Sequence, residues 1–393
     1  MISNVTPHRE GLLNKTSPIQ EIDISLSKEE WLLILFAVIF SRALLYLIGF
    51  VGVESFNTVD TSELTAWQVI CRFDCVWFRR MIDYGYDLYP KWLSGKNAAN
   101  WAFMPATPYL AKLLLPIIDD ARLALIVVSN LSFALSVPVF VMVLKQMGIS
   151  ASGQKNAVWI MCFCPFTVYS MAGYAEPLFI ALVSGVFLFA YREQWLYVAL
   201  LGLAAAITRN LGVMLVFSIL IIAIQHYGFR ELIRFKMPAA KALTAIWVVP
   251  LGFFGFMTFL YFQTGDALAF GHIQIAWGRT FSHPFNWIEY GFEKGGAKLY
   301  LTLMALFGFG MVGYLCVKRY FAEAVFMFIN LYLPFSSGVN AMPRYIFGLY
   351  PAFLCLVLLL DKYPKARIPT LCAFSALSVI ITIGFFSRVF FTV

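Results

Sequence analysis

Residues 31–53 read WLLILFAVIFSRALLYLIGFVGV, a stretch long and apolar enough to cross a bilayer, whose hydrocarbon core takes about 20 residues of helix. Runs of the same kind recur at roughly 121–145, 156–173, 175–191, 195–208, 210–227, 242–263, 299–317, 321–335, 344–361 and 368–387. The pattern predicts an all-α, polytopic integral membrane protein of about 11 transmembrane helices. The runs at 195–208 and 321–335 are short, so they are expected to tilt or to end inside the protein. No internal repeat and no separate soluble domain is visible, and residues 31–393 read as one transmembrane domain.

Composition agrees with this reading. Hydrophobic residues make up 61% of the 393 and charged residues only 13%, with a mean hydropathy of +0.78. A soluble domain is nearer half apolar and a quarter charged. The 10 Trp, 19 Tyr and 39 Phe suit a chain that needs rings at both membrane interfaces. The net charge of +8 is read as basic connections and contacts with lipid phosphates, with no nucleic-acid partner. The seven cysteines show no CxxC pair and no zinc-ligand spacing, so Cys71, Cys75, Cys162 and Cys164 are read as packing residues. No metal constellation is evident and no cofactor is expected.

Lys and Arg in the connections set the orientation. With residues 1–30 as a cytoplasmic tail, Lys145, Lys155, Arg192, Arg230, Arg234, Lys236, Lys241, Lys318, Arg319, Lys362, Lys365 and Arg367 all fall on the cytoplasmic side, as the positive-inside tendency requires. The tail is polar and shows no cleavable leader, and its sequons at Asn4 and Asn14 are expected to stay unused. The long connections 54–120 and 264–298, and the short 336–343, are then extracytoplasmic.

In the first of these, residues 65–83 (TAWQVICRFDCVWFRRMID) place Ile70, Phe73, Trp77, Phe78 and Met81 in one sector of a helix and Arg72, Arg79 and Asp83 opposite. That is the signature of a helix lying in the membrane interface. Asp74 breaks it by pointing into the apolar sector. A carboxylate there must be paired, protonated or functional: either an ion pair, with Arg80 or with an Arg of another span, or a general base in a partly dry site.

Three more charges lie at the outer ends of spans. Glu176, before Pro177, is either a helix cap and dipole partner or part of a site. Arg209 sits between two apolar runs, where insertion of an Arg costs about 2.5–3.5 kcal/mol near a span centre; it either answers a helix C-terminus or binds an anion. Arg344 follows Pro343 at a helix start, where a cation is disfavoured, so an anion is expected beside it, a carboxylate such as Asp74 or a bound phosphate. The segment 264–279 adds Asp266, His272, Gln274, Trp277 and Arg279, polar and aromatic groups that suit recognition of a sugar. The charge rule brings all these residues to one membrane face.

These residues also carry a resemblance. Phe73-Asp74 with Gly85-Tyr86, then Phe103, Pro105 and Pro108, then Pro165-Phe166 and Tyr174-Ala175-Glu176-Pro177-Leu178-Phe179, then Thr208-Arg209 follow in order. Gly265, Asp266, Ala269, Phe270, His272, Gln274, Trp277, Gly278 and Arg279 come next, and Pro343-Arg344-Tyr345 last. The series resembles the PIG-V-like mannosyltransferases, GT-C glycosyltransferases related to the enzyme that adds the second mannose of the GPI anchor. The chain departs from that pattern at Phe73, where the family usually has Trp, and at Asn210, where it often has Pro.

The resemblance implies a GT-C fold and an inverting transfer of a sugar, mannose first, from a polyprenyl- or dolichyl-phosphate donor. The acceptor would be a glycan or lipid on the extracytoplasmic face of a membrane, bacterial cytoplasmic in preference to endoplasmic reticulum. Asp74 would be the base, Arg209 and Arg344 would hold the donor phosphate, and Glu176, Asp266, His272, Gln274, Trp277 and Arg279 would contact substrate. Arg72, Arg79 and Arg80 remain candidates for lipid headgroups. A divalent ion shared by Asp74 and the donor phosphate stays open but is not indicated. The rival class is a transporter or flippase of a lipid-linked sugar, against which stands the lack of paired Gly/Pro-interrupted spans in corresponding halves. A non-catalytic assembly subunit is the third reading.

Overall fold

A computed structural model describes residues 22–56, 65–93 and 96–387; the sequons at Asn4 and Asn14 and most of the expected tail lie outside them. The first apolar run becomes helix α1, Lys28–Phe56. Its start is a capping box: Glu30 N donates to Ser27 Oγ at 3.2 Å and Ser27 N to the Glu30 carboxylate at 2.8 Å, which satisfies two backbone donors that a helix start leaves over. The first loop holds α2 (Ala66–Ile70), α3 (Asp74–Tyr84), a two-stranded hairpin of β1 (Lys91–Leu93) and β2 (Lys96–Ala98), and α4 (Ala106–Lys112). The bundle continues with α5 (Ala121–Gln146), α6 (Ala151–Phe163), α7 (Glu176–Tyr191), α8 (Trp195–Ala206) and α9 (Leu215–Tyr227). After a short α10 (Phe229–Ile233) come α11 (Ala239–Thr264), α12 (Ala269–His272), α13 (Pro284–Lys294), α14 (Gly296–Val317), α15 (Phe321–Phe335), α16 (Met342–Phe347), α17 (Tyr350–Lys362) and α18 (Arg367–Phe386).

Among the described residues, six helical segments are long and apolar enough to cross a membrane, and Glu176–Tyr191, Trp195–Ala206 and Phe321–Phe335 are shorter apolar helices. The protein is an all-α multi-pass membrane protein.

Two expected spans are interrupted, each for a local reason. The run 156–173 stays helical only to Phe163. Cys164 is extended (φ −57°, ψ 139°), as a residue before proline prefers, and the chain then turns through a 3-10 segment, Thr167–Ser170. The run 344–361 divides at Gly348 and Leu349, with Leu349 extended ahead of Tyr350-Pro351. Both breaks fall at the end of the bundle where the charged residues meet.

Helices α5 and α7 form the centre, with α8 packed against α7 and α11 against the outer side of α8. Phe133, Phe140, Phe179, Phe187, Phe326 and Tyr350 are fully buried there. Small residues let backbones approach closely, as membrane helices require. A Cβ on Gly202 would lie 2.4 Å from Val249, and one on Gly49 of α1 would lie 2.7 Å from Phe386 of α18. Two charges inside the bundle have local partners. Arg42 of α1 lies 3.8 Å from the Phe133 ring centroid, and buried Glu323 accepts from Tyr191 Oη.

One end of the bundle gathers the expected basic connections. Lys145 pairs with Glu30 at 2.7 Å, Arg192 donates to Ile22 O and Gln146 Oε1 at 3.2 Å, and Ser150 donates to Asp361 at 2.5 Å. The residues 22–30 therefore lie at the same end as the α5–α6, α7–α8 and α17–α18 turns.

Candidate functional site

The first loop differs from its expected form. Residues 65–83 are two helices, α2 and α3, separated at 71–73. Phe73 takes a left-handed conformation (φ 48°, ψ −111°), which a β-carbon makes costly, on the order of 1–3 kcal/mol. Cys71 and Cys75, read from the sequence as packing residues, close a disulfide across this turn, Cα–Cα 5.1 Å. Arg72, expected on the polar face, is 6% exposed and donates its Nε to Val69 O at 2.5 Å. Asp74 thus opens a new helix, where its charge also suits the helix dipole.

Glu176 opens α7 beside Pro177. Arg209 follows the end of α8 and precedes a 3-10 turn, Asn210–Met214. Arg344 lies in α16, entered through Ala341 in the left-handed region (φ 61°). These elements converge. Glu176 Oε1 accepts from Arg209 Nη1 at 2.7 Å and from Arg344 Nε at 2.6 Å, and Arg344 Nη2 donates to Asp74 Oδ2. The anion expected beside Arg344 is two carboxylates. The alternative partner for Asp74 is taken: Arg80 and Lys91 lie 3.4 and 3.3 Å from Asp87, and Arg79 lies 3.6 Å from Asp83.

The two carboxylates are not equivalent. The side chain of Glu176 is 3% exposed and that of Asp74 21%. Glu176 is the buried anchor of both arginines, while Asp74 stands at the accessible edge. Rings close the site around the cations. Arg344 lies 4.6 Å from the Tyr174 centroid, and Arg209 lies 5.5 Å from Phe179 and 5.6 Å from Tyr345. Cation–π contacts of this kind strengthen when desolvated. Gly348 forms the floor, since a Cβ there would lie 3.0 Å from Glu176 Cγ and 3.2 Å from Arg209 Nη1.

Of the segment 264–279, Arg279 reaches this cluster through a ring, and Trp277 joins an aromatic group beside it. Arg279 donates to Tyr345 Oη and lies 5.3 Å from its ring centroid. Trp277 meets Trp77 edge-on at 5.5 Å and Phe103 at 5.9 Å, a wall one helical turn along α3 from Asp74. Asp266 and His272 form a pair of their own at 2.7 Å, both exposed. The hydrogen bond from His272 holds the Asp266 carboxyl below its ordinary value. Gln274 is half-buried, and its side chain makes no hydrogen bond among the described residues. Tyr174, Tyr345 and Gly348 went unread as site residues; the available signal for the two tyrosines was their place two positions before Glu176 and next to Arg344.

No family model matches the chain, and no curated protein does. Two solved structures from Archaeoglobus fulgidus are similar in backbone. One is the archaeal oligosaccharyltransferase AglB in complex with an inhibitory peptide and a dolichol-phosphate, 11% identical, covering 93% of this chain and 56% of that chain at a TM-score of 0.48. The other is an oligosaccharyltransferase complex with zinc and sulfate, 12% identical, covering 88% of this chain and 52% of that chain at a TM-score of 0.41. The chain spans about half the length of each.

Proposed function

We propose that the protein is a membrane glycosyltransferase that moves a sugar, mannose the first candidate, from a polyprenyl- or dolichyl-phosphate donor to a hydroxyl of a glycan or lipid acceptor. The observation that carries this reading is the unequal sharing of two arginines by two carboxylates. Glu176 is sealed in and holds both cations in place, while Asp74 is open enough to meet a substrate.

The donor phosphate brings an anion to the arginines, which suit it because a planar guanidinium offers forked donors to phosphate oxygens. As Arg344 turns to the phosphate it gives up its bond to Asp74, which frees that carboxylate to take the acceptor's proton. The acceptor oxygen attacks the anomeric carbon from the face opposite the leaving group. The bond to phosphate breaks with its electron pair on the phosphate oxygen, and the configuration inverts. Arg209 and Arg344 stabilise the charge that develops there, and Asp74 acts as general base. Trp77, Phe103 and Trp277 supply ring faces for the sugar, and Asp266, His272, Gln274 and Arg279 supply polar contacts. The Cys71–Cys75 disulfide supports an extracytoplasmic site, since such bonds persist in oxidising compartments.

The test is purified protein given a panel of lipid-phosphate sugars and acceptors, with the product and its anomeric configuration determined. A product only with lipid-phosphate donors, lost in Asp74→Asn, is the expected result; no transfer from any of them removes the proposal. The same ion network favours a second reading, a brace that only locks four loops together.

A further inference from the structure

The disulfide at Cys71 and Cys75 encloses Arg72, Phe73 and Asp74. A cross-link over so short a loop removes little chain entropy compared with one that closes a long loop, so its main effect is local geometry. That geometry is unusual. Cys71 ends α2 in an extended conformation, Phe73 is left-handed, and Asp74 begins α3. A non-glycine residue at φ 48° persists only when its surroundings hold it, and the cross-link spans that residue. Both cysteines are buried, Cys71 at 3% and Cys75 at 0% exposure.

The second face of the disulfide touches the other carboxylate's element. Gly173 is left-handed (φ 76°), and a Cβ there would lie 2.8 Å from Cys75 Sγ. The sulfur therefore sits directly on the Gly173 backbone, within the turn that delivers Tyr174 to Arg344 and Glu176 to both arginines. One covalent unit is wedged between the segment that presents Asp74 and the segment that presents Glu176.

We propose that the Cys71–Cys75 disulfide is a positioning element of the site: it holds the Phe73 turn so that Asp74 faces Arg344, and fixes that turn's distance from Gly173–Glu176. The proposal rests on Asp74 as the base, and it deepens that reading. Without the cross-link, Phe73 relaxes toward negative φ and swings Asp74 from Arg344, while Glu176 and Arg209 keep their bond. Donor binding is retained and proton removal is impaired.

Protein purified without reductant is first alkylated before and after treatment with a phosphine, and its mass measured. With the chain denatured for labelling, five alkylated cysteines before the phosphine and seven after it support the bond; seven alkylated before it overturn the proposal. The variant Cys71→Ala/Cys75→Ala is then compared with wild type per folded molecule, using a dolichyl-phosphate sugar as donor. The expected result is kcat lower by roughly 10- to 100-fold with donor KM within about threefold. An unchanged kcat in correctly folded variant overturns it.

A melting-temperature cycle serves as the second readout and needs no activity. Asp74→Asn is made in the cross-linked chain and in the Cys71→Ala/Cys75→Ala variant. A loss in the cross-linked chain that shrinks to less than roughly half in the other supports positioning, whereas equal, additive losses show a staple unrelated to Asp74. If wild type transfers from no donor, the functional reading fails while this cycle still decides the positioning role.

Discussion

Replacing Glu176 by Gln keeps the shape of α7's first turn and removes the charge that Arg209 and Arg344 share at 2.7 and 2.6 Å. Their side chains are only 16% and 13% exposed, so water does little to answer the stranded cations. Breaking a buried pair in this way costs about 3–5 kcal/mol. Asp74→Asn removes a carboxylate that is 21% exposed and keeps Glu176 on Arg344, so its cost is nearer 1–3 kcal/mol. Activity should rank the other way. Loss of a general base lowers turnover by about 10²–10⁴-fold, while Glu176→Gln, counted per folded molecule, should retain more. Folded yield by size exclusion, melting in detergent by tryptophan fluorescence, and transfer from a labelled lipid-phosphate sugar give the three quantities. Equal destabilisation by both substitutions, unchanged turnover in Asp74→Asn, and yield recovered in Asp74→Asn/Arg344→Ala would together refute catalysis and leave the brace.

Arg344→Lys keeps the charge but loses the bond pair to Glu176 and Asp74, so donor KM should rise, and Arg344→Ala should be worse; identical donor binding in all three chains removes the phosphate role. Gly348→Ala places a methyl group against Glu176 Cγ and Arg209 Nη1, an overpacking that costs about 1–3 kcal/mol and should weaken donor use, which a KM measurement reads. In a chain freed of the unpaired cysteines, a cysteine at Asn97 should react with an impermeant maleimide from outside and one at Ser152 should not; the reverse pattern places the site in the cytoplasm.

The helices were legible because a bilayer makes one demand on every span, which six helical segments meet in full length while shorter ones and the breaks after Phe163 and Phe347 follow local causes. Asp74, Glu176, Arg209 and Arg344 were legible for the complementary reason: a charge in apolar context needs an answer, so each announces that a partner exists. Which partner was not legible. Asp74 had Arg80 six positions away in sequence, yet Arg80 goes to Asp87 and the ion pair forms with a residue from the last third of the chain. The helical period across 65–83 concealed the break at Phe73, because the apolar residues on either side keep the spacing of one continuous helix. Cys71 and Cys75, one turn apart, have the spacing of packing neighbours and of a local disulfide alike, and only the left-handed turn between them distinguishes the two. Arg42 went unread because one charge does not interrupt an otherwise apolar run.

Arg344 stands 270 residues after Asp74 and 168 after Glu176, and this separation has a consequence during synthesis. Both acids emerge from the ribosome long before Arg344; Glu176 meets Arg209 only 33 residues later, whereas Asp74 waits 270 residues for its partner. Contacts so distant in sequence form late. Through Arg344, α16 ties the early segments that present both acids to the last third of the chain, while the packing of α1 still waits for α18.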